Sequence, residues 1–86
     1  MTSKAITIHA PKLPEIAKAK IVQWLITPGQ NLIKGNDYIE IEIIHSKQRI
    51  ALKSPINGIL QIAVAALDDA IHAGSLIAIA EMFEEK

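Results

Sequence analysis

The sequence predicts an all-β domain, a flattened barrel or sandwich of two similar short-stranded antiparallel sheets related by a pseudo-twofold. Three observations predict it. Apolar and polar residues alternate through Tyr38-Ile39-Glu40-Ile41-Glu42-Ile43 and again through Ile50-Ala51-Leu52-Lys53, the period of a strand with one buried face. The chain is 50% hydrophobic but has one Trp, one Tyr and one Phe, so its core is aliphatic, and β-branched isoleucine packs well on a pleated surface. A shift of 39 residues superposes Gln30 on Asp69, Leu32 on Ile71, Gly35 on Gly74 and Tyr38 on Ile77, and two like halves imply two like sheets.

The elements follow in order. Ala5–His9 alternates and forms a first strand. Pro11 and Pro14 bracket an exposed loop, since proline withholds a backbone donor. Glu15–Lys20 has the composition of a helical turn but is too short to stand alone. Ile21–Ile26 is the next strand, ended by Thr27-Pro28-Gly29-Gln30, whose central Pro and Gly suit a type II turn. Gly35-Asn36-Asp37 turns the chain into the alternating run from Tyr38. Ser54–Gly58 turns it again, Ile59–Ala65 is a strand, and Leu67-Asp68-Asp69 is a turn. Ala70–Ala73 leads through Gly74-Ser75 to a last strand, Leu76–Ala80, and Met82–Lys86 reads as a frayed or linker-bound end.

The bulk numbers exclude several classes. Eighty-six residues make one small domain, with little room for a deep catalytic cleft. Nine basic and nine acidic residues cancel, which argues against nucleic acid as a partner. The absence of cysteine removes disulfides, thiol catalysis and thiolate metal sites, and fits a reducing compartment. No apolar run approaches the roughly 18 residues of a membrane span, and residues 1–10 carry no long apolar stretch, so neither membrane insertion nor a signal peptide is expected.

Between the two alternating runs lies His45-Ser46-Lys47-Gln48-Arg49, a polar cap on a hairpin. Lys47 on this tip is the candidate functional residue. Lys12, Lys34 and Lys53 read as surface charges. His9, His45 and His72 lack ligand spacing, so no metal site is expected. Trp24 and Tyr38 read as packing residues, and Glu40 and Glu42 as a solvated strand face. No Ser-His-Asp order and no phosphate-cradling glycine loop is present.

The ordered set Leu13-Pro14-Glu15, Trp24, Pro28-Gly29, Gly35, Glu40-Ile41-Glu42, a lysine at a hairpin tip, Ser54-Pro55, Gly58 and Gly74 resembles the lipoyl domain of 2-oxo acid dehydrogenase complexes. That domain is a branch of the biotinyl/lipoyl carrier fold, a barrel-sandwich hybrid. The resemblance covers residues 5–81 of a single domain. It implies a carrier rather than an enzyme, serving as the N-terminal part of an acyltransferase chain. Lipoate would be held in amide linkage on the tip lysine and would shuttle acyl groups as a swinging arm. The implied partners are a thiamine-diphosphate-dependent 2-oxo acid decarboxylase, a dihydrolipoamide dehydrogenase, and a lipoate ligase or lipoyl transferase. The implied location is a bacterial cytoplasm or a mitochondrial matrix.

Two family registers compete at the tip. Counting back seven residues from Ser54 gives Lys47, and Gly58 agrees; counting forward three from Glu42 gives His45. One extra residue on each hairpin strand reconciles the counts and puts the tip at His45-Ser46-Lys47, with alternation preserved. Ser46 stands where the family has an acidic residue before the lysine. The resemblance assigns Leu13, Pro14, Glu15 and Ser46 to partner recognition. An unmodified lipoyl-like domain serving as a structural or interaction module is the alternative. The Met-Lys-Met of biotin carriers is absent, with Ser46 and Gln48 flanking Lys47.

Overall fold

The computed structural model describes residues 3–12 and 18–83, and every regular element among them is a strand. In chain order these are β1 (Ser3–His9), β2 (Ala19–Trp24), β3 (Asn31–Leu32), β4 (Asp37–Ile43), β5 (Arg49–Lys53), β6 (Gly58–Ala63), β7 (Ala70–Ile71) and β8 (Leu76–Phe83). They form two four-stranded antiparallel sheets, β1-β8-β6-β3 and β5-β4-β2-β7. The sheets pack face to face and do not close into a barrel.

The 39-residue repeat is carried into the hydrogen bonding. Thr27 N–H donates to Gln30 Oε1 at 2.7 Å, and Ala66 N–H donates to Asp69 Oδ2 at 2.8 Å. Gly29 N–H reaches Leu60 O at 2.7 Å, and Asp68 N–H reaches Ile21 O at 2.9 Å. The register shifts obey the same rule: β2 slips between Ile21 and Gln23, β6 between Leu60 and Ile62. Each short strand pairs with the other half, β3 with β6 and β7 with β2, so the halves interlock.

The core lies between the sheets. Ile39, Ile41 and Ile43 of β4 point inward while Glu40 and Glu42 point out, as alternation requires. Ala78 and Ala80 of β8 occupy the repeat positions of Ile39 and Ile41. Bulky residues on one central strand and small ones on the other share one buried cluster with Ile21, Leu60 and Ile77. Burial of each such isoleucine or leucine contributes about 1.5–3 kcal/mol. Trp24 closes one side: its ring lies 6.2 Å from that of Tyr38, and its Nε1–H donates to Ala65 O at 2.8 Å.

The structure corrects four sequence expectations. Ala19 and Lys20 belong to β2, not to a helical turn; Ala19 is fully buried and pairs with both Ile43 and Ile71, so sheet packing overrides helix propensity. The rest of that segment, through Ala17, lies outside the described residues. β2 stops at Trp24 and β6 at Ala63, so neither Leu25-Ile26 nor its repeat counterpart Val64-Ala65 extends the strand before it. Met82 and Phe83 are not frayed: they pair with Lys4 and Ser3, and Phe83 N–H donates to Asn57 O at 3.0 Å. Arg49 is not in the hairpin cap; it starts β5 opposite Glu42.

Candidate functional site

The β4–β5 hairpin closes at Ile43 and Gln48, where Ile43 N–H donates to Gln48 O at 2.8 Å. Ile44, His45, Ser46 and Lys47 form the loop, with His45 and Ser46 at its apex and Lys47 on the descending side. Lys47 N–H returns to Ile43 O at 2.7 Å, and Gln48 N–H donates to Ser46 Oγ at 3.3 Å. All six residues from Ile44 to Arg49 are exposed. Both competing register positions, His45 and Lys47, thus stand on the same four-residue loop, and Ser46 lies between them.

Lys47 has φ +61°, one of two left-handed residues other than glycine among those described. A Cβ in this region crowds the following carbonyl, at about 1 kcal/mol. A loop that only needed to turn would be better served here by glycine or asparagine. No ion pair engages the Lys47 ammonium among the described residues.

Charges below the tip are mutually engaged. Arg49 lies 3.5 Å from Glu42 and 4.0 Å from Glu40, and Lys20 lies 3.9 Å from Glu42. The cross-strand register opposes Arg49 and Lys20 to Glu42 from either side of β4. Arg49 is 61% exposed, so these pairs contribute little stability. They lie across the outer face of the hairpin base, on the exposed side of β4 that carries Glu40 and Glu42. A cleft of about 210 Å³ beside Ile26, Leu32 and Tyr38 opens at the start of β4, away from the tip.

Leu13, Pro14 and Glu15 lie outside the described residues. Lys18, just after them, reaches the tip: its carbonyl accepts the N–H of Ile44 at 2.9 Å. Sequence reading missed this contact; Ile44, an apolar residue where the family usually has a polar one, is 45% exposed on the loop. An apolar residue continuing the alternation of β4 gives no local sign that the strand has ended. His9, the last residue of β1, reaches the loop that carries His72: its Nδ1 donates to Gly74 O at 3.0 Å, and His72 Nδ1 donates to Ala73 O at 3.1 Å. No group of three metal-ligating side chains converges among the described residues.

An exposed lysine thus stands on a hairpin loop carried by two interlocked sheets of a duplicated unit. The biotin/lipoyl family model (Biotin_lipoyl, described as "Biotin-requiring enzyme") matches residues 6–80. The chain belongs to the biotin/lipoyl attachment family. A search of curated proteins finds no match. Members of this family are carrier domains, not catalysts, and hold biotin or lipoate covalently on a lysine. The geometry fits such a group: Lys47 is exposed, outside every ion pair described, and set on a loop that protrudes from a rigid sheet. In such a domain the protein offers presentation, and a covalently held group would supply the chemistry.

Proposed function

We propose that this domain is a lipoyl carrier that shuttles acyl groups within a 2-oxo acid dehydrogenase complex, with lipoate on Lys47. The observation that carries the reading is Lys47 itself, an exposed lysine held left-handed in a hairpin loop where its backbone is disfavoured. Strain retained at an exposed position points to function rather than to folding. Ser46 and Gln48 favour lipoate over biotin, because the Met-Lys-Met flanks of biotin carriers are absent. Held on Lys47, lipoate would supply a strained disulfide, a group able to accept an acyl unit with two-electron reduction.

The chain's own part is presentation. Attachment would join Nζ to the cofactor's activated carboxyl group: the ammonium loses one proton to become a nucleophile and a second as the amide forms, and the activating group leaves with the bond it held to the carbonyl carbon. Lys47 then carries a long neutral arm in place of a charge. The hydrogen-bonded loop and the core beneath it keep the base of that arm fixed while the methylene stem stays free. On this reading the partners are a thiamine-diphosphate-dependent decarboxylase, a dihydrolipoamide dehydrogenase and the loading ligase or transferase. Leu13, Pro14 and Glu15 would help the decarboxylase choose its carrier, and the reducing interior of a cell would be the setting.

One feature favours a second reading, an unmodified lipoyl-like module: the apex of the loop is occupied by His45 and Ser46, with Lys47 beyond it. Intact mass after incubation with lipoic acid, ATP and a lipoate ligase separates the two. The carrier reading expects a gain of one lipoyl group that vanishes in Lys47→Ala. No gain under forcing conditions favours the unmodified module, and a gain with biotin and a biotin ligase instead moves the domain to the other branch of the family.

A further inference from the structure

Left-handed residues in this fold share a device. Of the five described residues with positive φ, four stand beside a residue whose side-chain oxygen accepts a backbone N–H across the turn. Beside Gly29, Gln30 Oε1 accepts from Thr27 N–H; beside Asp68, Asp69 Oδ2 accepts from Ala66 N–H; beside Gly74, Ser75 Oγ accepts from His72 N–H at 3.0 Å. Those three side chains reach back along the chain. At the tip the geometry is reversed: Ser46 precedes the left-handed Lys47 and reaches forward to the N–H of Gln48.

We infer that Ser46 is a positioning residue for Lys47: its hydroxyl, by holding the Gln48 amide, keeps the Lys47 backbone left-handed and fixes the direction in which the amine is offered. The inference rests on attachment at Lys47. Gln48 N–H has no other described acceptor, and Lys47 N–H is already committed to Ile43 O. Together the two bonds bracket the lysine, one on each side of its Cα. Without the hydroxyl, the Lys47 backbone is free to return to the φ < 0 regions that a residue with a Cβ prefers. An enzyme that loads the amine then meets a loop whose competent conformation is only partly populated, and its apparent affinity falls by that fraction. Ser46 thus acts on the lysine through the backbone, which differs from contacting a partner directly.

The test uses the purified chain with lipoic acid, ATP and a lipoate ligase, comparing wild type with Ser46→Ala, Ser46→Asn and Ser46→Asp. Loading rates at limiting enzyme are read by intact mass, and hydrogen exchange of the Gln48 amide by NMR. Loss of one neutral hydrogen bond should slow loading of Ser46→Ala about two- to tenfold and speed Gln48 exchange by a similar factor. Asn and Asp, which restore an acceptor oxygen, should recover both. Wild-type loading by Ser46→Ala overturns the inference whatever the amide does. Asn and Asp variants that load no faster than Ala also overturn it, since the hydroxyl would then be a contact of the enzyme. If wild type is never loaded, the attachment reading fails by itself, and unchanged Gln48 exchange in Ser46→Ala would separately overturn the hold on the turn.

Discussion

The backbone carbonyl of Glu81 stands against Gly58 where the Cβ of any other residue would lie. Gly58 opens β6 and pairs with Met82 of β8, so the obstacle is sheet backbone and cannot rotate aside. Gly58→Ala should therefore lower stability by about 1–3 kcal/mol, the usual range for overpacking. A urea melt decides it, and an unchanged midpoint would show that the β6–β8 pairing is looser than described.

Lys47→Gly should have the opposite sign. Glycine reaches φ +61° without the Cβ clash, though it also loosens the unfolded chain. The net expectation is a gain of a few tenths to about 1 kcal/mol, with loss of any attached group. A clear loss of stability in the same melt would contradict the left-handed loop. A gain would identify Lys47 as a residue kept against the interest of the fold.

Tyr38 gives a pH dependence. Burial pushes its phenol from 10 up to about 12. The neutral form is thus favoured in the folded state, and the stability this brings is complete below pH 10. As pH rises towards about 12, unfolded chains ionise first and stability falls by about 1.4 kcal/mol per pH unit. Absorbance at the phenolate band should show the folded protein titrating well above free tyrosine, and Tyr38→Phe should flatten the stability loss in that window. Titration of the folded protein near pH 10 would contradict the burial of the ring.

Much of the fold was legible because its cause is local or periodic. Alternation in Tyr38–Ile43 places three isoleucines on the inner face of β4. The repeat linking Gly35 to Gly74 reappears as matched left-handed turns at φ +90° and +87°. It also places Asp68 in the conformation of Gly29, which Asp tolerates better than most residues. The errors fell at strand ends. Ala19, Arg49 and Phe83 are strand residues because of the partners they meet: Ile43 and Ser3, distant in sequence, for Ala19 and Phe83, and Glu42 across the hairpin for Arg49.

The sequence by itself determined that two like β halves carry a polar hairpin with one lysine at its tip, because side-chain period, turn residues and repeat spacing are written along the chain. It left open whether His45 or Lys47 occupies the family position, since both counts are consistent with alternation. Tertiary structure decided how the tip is built: the closing pair is Ile43 and Gln48, Lys18 backs Ile44, and Lys47 is left-handed beside the Ser46 hydroxyl. The physical reason is that loop conformation follows from where two strands stop pairing. That point is set by non-local register, which no local pattern of residues records.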